Sequence, residues 1–80
     1  MMRKASQADS PLRGLTDKER SVLEEMATGR TNSTIAKTLF MSERSVEKHI
    51  SAVFLKLGLS DEGEINRRVK AVLTFVEATR

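Results

Sequence analysis

Residues 41–58, MSERSVEKHISAVFLKLG, gather hydrogen-bonding side chains on one side of a helix. At about 100° per residue, Arg44, Lys48 and Ser51 fall together with Leu55, flanked by Glu47 and Ala52. Val46, Ile50, Val53, Phe54 and Leu57 fall on the opposite side, an apolar stripe fit for a core. Lysine can donate to O6 and N7 of guanine, a carboxylate can accept from the cytosine amino group, and serine can do either. Arginine meets phosphate. The outer face therefore has the chemistry to read base edges in a DNA groove. Its competing use is as an ordinary solvated face, with Glu47 paired to Arg44 or Lys48 along the helix. Leu55 is the apolar exception on that face, suited to a groove edge or a thymine methyl.

The elements that must position this face are all helical. "TDKE" has the form of a capping box, with Thr16 and Glu19 closing the start of a first helix over 17–28. Val22, Leu23, Met26 and Ala27 make its apolar side, and Gly29 its stop. Thr31 or Asn32 caps a short second helix over 32–39, with Ile35, Ala36 and Leu39 inward. Ser42 caps the third helix, 43–57, which Gly58 ends. Ser60 or Asp61 opens a fourth, 61–78, with acids in its first turn. On it, Ile65, Val69, Val72, Leu73 and Val76 share the stripe expected to cover the core. Ala71, Phe75 and Ala78 lie to one side, as further core or as a contact with a second molecule. Arg67, Arg68 and Lys70 read as a solvated basic cluster.

The expected fold is thus all-α: a compact four-helix domain with a helix-turn-helix at its centre. In such a unit the second helix of the pair lies in the major groove, and the small Ala36 lets the two cross closely. The domain spans 15–80. Residues 1–14 show no periodicity and read as a flexible leader or the remnant of an interdomain linker.

Composition agrees with a polyanion partner. The net charge is +3 and the sequence pI about 9.7. Between residues 26 and 60, Arg30, Lys37, Arg44, Lys48 and Lys56 face only Glu43 and Glu47, so the positive region is the middle of the chain. The chain has no cysteine, which excludes disulfides and thiolate metal sites. It has no apolar run of membrane-spanning length and no signal-peptide pattern near Met1, so a cytoplasmic protein is expected. No cofactor is expected. His49, the one histidine, lacks partners for a metal site or a triad and sits at the edge of the core face. With no nucleophile–base pair or phosphate loop either, the chain does not read as an enzyme.

Residues 15–59, LTDKERSVLEEMATGRTNSTIAKTLFMSERSVEKHISAVFLKLGL, resemble the LuxR/FixJ/NarL-type DNA-binding domain. The resemblance rests on Leu15, Thr16 and Glu19, on Val22 and Leu23, on Gly29, and on Asn32, Ile35, Ala36 and Leu39. It continues through Ser42, Val46 and His49 to Lys56 and Leu57. Departures are Lys18 where arginine is usual, Ser45 for threonine, and an acidic Glu47 where many members carry a basic residue. The resemblance implies sequence-specific binding of double-stranded DNA in transcription regulation, by a homodimer formed through the fourth helix on a two-fold symmetric site. It implies base contacts at Glu47, Lys48 and Ser51. It further implies the C-terminal output domain of a bacterial response regulator, acting in the cytoplasm at the nucleoid, whose receiver or sensor domain lies outside these residues; a naturally short stand-alone regulator is the alternative.

Phosphate-contact candidates are Thr31, Asn32 and Ser33 at the start of helix two, Ser42 at the start of helix three, and Lys37, Arg44 and Lys56. Dimer-contact candidates are Ala71, Phe75 and Ala78. The alternative reading is a helix-turn-helix that binds RNA polymerase or another regulator and touches DNA weakly; Glu47 on the groove face favours it.

Overall fold

The computed structural model describes residues 10–59 and 63–80. They form a short 3-10 turn, Pro11–Gly14, and four α-helices: α1 Asp17–Ala27, α2 Asn32–Leu39, α3 Glu43–Lys56 and α4 Glu64–Thr79. No strand occurs among them. The helix ends agree with the sequence expectation within a residue, except at the start of α4, where the expected cap at Ser60 or Asp61 lies outside the described residues.

Each of the first three helices starts where a local side chain satisfies its open N–H groups. Thr16 Oγ1 accepts from the Glu19 amide at 3.1 Å, and Glu19 Oε1 accepts from the Thr16 amide at 2.9 Å. Thr31 Oγ1 accepts from Thr34 N at 3.2 Å, and Ser42 Oγ from Ser45 N at 3.0 Å. Gly63, at φ 113°, starts α4 with no side-chain cap.

The turn of the helix-turn-helix closes on an unusual residue. Phe40 sits at φ 57°, ψ 49°, the left-handed conformation that glycine adopts cheaply, and its ring is 95% exposed. The Met41 amide bonds back to the Ala36 carbonyl at 3.0 Å, so the turn demands this geometry. A β-carbon there costs about 1 kcal/mol, and the exposed ring returns little burial. Glycine relieves that strain but adds about 0.4–1 kcal/mol of unfolded-state entropy, so Phe40→Gly is expected to stabilise the domain by up to about 0.6 kcal/mol, read as a melting temperature raised by up to about 5 °C. A lowered melting temperature would mean that the ring packs in solution.

The core joins all four helices: Val22, Leu23 and Met26 from α1, Ile35 and Ala36 from α2, Val46, Ile50, Val53 and Phe54 from α3, and Ala71 from α4. Helix α1 is central and packs against α3 and α4. Ala36 is buried at the α2–α3 crossing, as its size requires.

Two expectations are corrected here. Packing begins ahead of Leu15: Leu12 is 2% exposed and belongs to the core, so residues 10–14 are a docked turn rather than a leader. Ser10 Oγ caps that turn by accepting from Leu12 N at 3.0 Å. On α4 the stripe expected to cover the core does so only at Val72, and the residues to one side take the core alternative. Ala71 is fully buried, and Val72, Phe75 and Ala78 pack half-buried against the core. Ile65, Val69, Leu73 and Val76 are exposed, Ile65 by 78% and Leu73 by 56%. Ala71 is therefore core and no contact for a second molecule. Helix α4 packs against α1, and the fully buried Ala71 is the small residue on the side of α4 that is covered.

Candidate nucleic-acid interface

The buried stripe of α3 fixes its rotation. With Val46, Ile50, Val53 and Phe54 in the core, Arg44, Glu47, Lys48 and Ser51 are exposed and together line one open groove. Leu55, 81% exposed, extends the same face. A hollow beside it is lined by Asn32, Glu47, Ile50, Ser51, Phe54 and Arg67, joining the face of α3 to the start of α2 and to α4. There the Arg67 guanidinium lies over the Phe54 ring, 5.2 Å from its centre.

The candidates at the helix starts are placed as follows. Thr31 and Ser42 are exposed at the N-termini of α2 and α3, and their hydroxyl oxygens act as caps. Asn32 and Ser33 are half-buried in the first turn of α2. Lys37 is exposed on α2. His49 is half-buried at the edge of the α3 core stripe.

Lys56 is otherwise engaged. Its Nζ donates to Glu19 Oε1 at 2.8 Å, tying the last turn of α3 to the first turn of α1. Glu19 is the buried charged residue of the described chain, and a buried carboxylate left without a cation would be costly. The Lys56 ammonium therefore answers Glu19 while its side chain stays 38% exposed at the end of α3. The Lys56 hydrogen bond, then the Thr16 amide, hold the Glu19 carboxyl below its ordinary value, against the opposing effect of burial.

The sign of the pH dependence follows. A carboxyl with a lowered folded value contributes stability above its unfolded pKa of about 4.3, and that contribution disappears as pH falls through the folded value. Glu19→Gln is thus expected to be less stable than the parent near neutrality, with the gap shrinking below about pH 4. Urea unfolding of both proteins at neutral and acid pH checks this. A gap that does not change with pH would contradict the ion pair's role.

Two arginines outside the expected site reach it from α4. Arg67 enters the hollow beside Ser51. Arg68 donates through Nη1 to Asn32 Oδ1 at 3.0 Å and through Nη2 to the Arg30 carbonyl at 3.1 Å. From sequence both belong to a solvated cluster, because nothing local in NRRVK says which side of α4 meets α2. A usable signal was the residue type: arginine's fork suits two acceptors at once, where a merely solvated position accepts lysine equally.

A capped short helix, a tight turn and a longer helix with an open polar face define a helix-turn-helix DNA-binding domain. The family model for "Bacterial regulatory proteins, luxR family" matches residues 13–69, and the chain belongs to that family. It is 42% identical over 72 residues to a nitrate/nitrite response regulator protein homolog of Haemophilus influenzae, covering 90% of this chain and 32% of that protein. It is 35% identical over 79 residues to the DNA-binding transcriptional activator DevR/DosR of Mycobacterium tuberculosis, covering 99% of this chain and 34% of that protein. The chain thus spans about a third of the length of these curated relatives. No solved structure matches it significantly. Among the described residues, no helix is long and apolar enough to cross a membrane.

Proposed function

We propose that this domain binds double-stranded DNA sequence-specifically, with α3 in the major groove, as a homodimer on a two-fold symmetric site. One observation carries the reading: the face of α3 opposite the core presents Arg44, Glu47, Lys48 and Ser51 together on an open surface. Lys48 donates to a guanine, Glu47 accepts from a cytosine amino group, and Ser51 is short enough for close approach. Arg44, Lys37 and the N-termini of α2 and α3, with Thr31, Asn32, Ser33 and Ser42, meet the phosphates.

The second molecule docks on Ile65, Val69, Leu73 and Val76, the apolar stripe that the core of one copy leaves open. The name of the Haemophilus influenzae relative, a response regulator, supports a role as the output part of such a protein; on this reading the domain acts at the bacterial nucleoid, under a receiver or sensor domain outside these residues.

Titrating DNA binding against salt tests the mode of contact. The logarithm of affinity should fall steeply with the logarithm of salt, and Lys37→Ala or Arg44→Ala should each flatten the slope by about 0.9 per copy. A nearly flat dependence in the parent would favour the alternative, a module that binds polymerase or another regulator.

A further inference from the structure

We propose that Arg68 is a positioning residue for DNA binding, holding the phosphate-facing start of α2 in place from α4. The inference rests on the DNA-binding reading above. The guanidinium spans two acceptors that flank the Thr31 cap: Asn32 Oδ1 at 3.0 Å and the Arg30 carbonyl at 3.1 Å. These bonds join residues 36 and 38 positions apart. Arg30 is held from the other side as well, its Nε lying 2.9 Å from Glu25 Oε1 and donating to Thr28 Oγ1 at 3.1 Å. The turn entering α2 is thus clamped between α1 and α4.

The clamp also orients Asn32. A guanidinium only donates, so the amide must turn its oxygen to Arg68 and its N–H donors away. Donors are what a phosphate oxygen requires. Arg68 is followed by Val69 on the exposed apolar stripe, so the helix that docks a second copy is the helix that sets the α2 terminus. A lysine cannot reproduce the arrangement, because one ammonium on a flexible stem does not bridge the two acceptors as a planar fork does.

The test is a double-mutant cycle of Arg68→Ala and Asn32→Ala, read as affinity for a specific duplex across a salt series, with melting temperatures alongside. Arg68→Ala is expected to weaken binding about tenfold, the effect of losing one charge-assisted hydrogen bond, with an unchanged salt slope and a folded domain. Arg68→Lys should behave like Arg68→Ala. In the Asn32→Ala background the Arg68→Ala effect should shrink. Strictly additive effects would overturn the proposal. So would full rescue by lysine together with a slope reduced by about 0.9 in Arg68→Ala, which would make Arg68 a direct phosphate contact. If Arg68→Ala does not fold, the salt slope and affinity of Arg68→Lys decide the matter. Absence of specific binding by the parent would instead remove the reading beneath it.

Discussion

Replacing Lys48 by alanine is expected to weaken binding to the specific duplex by about 1–3 kcal/mol, roughly five- to a hundredfold. The side chain is exposed at the middle of the open face of α3, between Arg44 and Ser51, and no buried contact depends on it. Thermal stability should therefore stay within about 0.5 kcal/mol of the parent. The effect should be confined to the base pair it reads: affinity for random duplexes should fall far less. Titration of specific and random duplexes with both proteins decides this. Equal loss on the two would make Lys48 a phosphate contact and move base reading to Glu47 and Ser51.

The second large effect separates the two faces of α4. Leu73→Asp alters an exposed side chain on the Ile65–Val69–Leu73–Val76 stripe. The single domain should fold as before, while binding to a symmetric two-half-site duplex falls by about a hundredfold, the scale on which linked sites reinforce each other. Phe75→Asp should do the opposite. Phe75 packs half-buried against the core, and a carboxylate there exchanges apolar burial for a charge that is costly to desolvate. A loss of about 3 kcal/mol is expected, a large share of what a domain this size holds in reserve. Urea unfolding and DNA titration of the two variants read these effects independently. A folded Phe75→Asp variant that fails to dimerise on DNA, beside an unaffected Leu73→Asp variant, would reverse the assignment of the faces.

What the sequence disclosed was what is encoded locally. The capping hydroxyls of Thr16, Thr31 and Ser42 lie three residues from the amides they satisfy, so helix starts could be read from spacing alone. The rotation of α3 was equally legible, because it carries a single apolar stripe. Helix α4 carries two, and a wheel cannot say which one a neighbouring helix will cover. That choice is made by packing against α1, on the side that carries the buried Ala71. The same limit hid the partners of Lys56 and Arg68. Glu19 lies 37 positions from Lys56 and Asn32 lies 36 from Arg68, so both pairings exist only once the helices are packed. Leu12 escaped for a related reason, since one apolar residue in a turn has no period to betray it.

The corrected placement sharpens the picture of the interface. Lys56 braces the scaffold through Glu19, and Arg44, Lys48 and Lys37 are exposed on α3 and α2. Helix α4, expected to supply only core and contact residues, also reaches the start of α2 through Arg68. On the proposed reading, dimer docking and the placing of the phosphate-facing start of α2 would share one helix, α4.

Selection of random duplexes by the purified domain at moderate salt, followed by sequencing, tests the central claim most directly. The expected result is an enriched motif with two-fold symmetry, carrying a guanine where Lys48 reaches and a cytosine preference beside it from Glu47. A folded domain that enriches no sequence would contradict the assignment of α3 as a base-reading helix and leave protein interaction as the use of its open face.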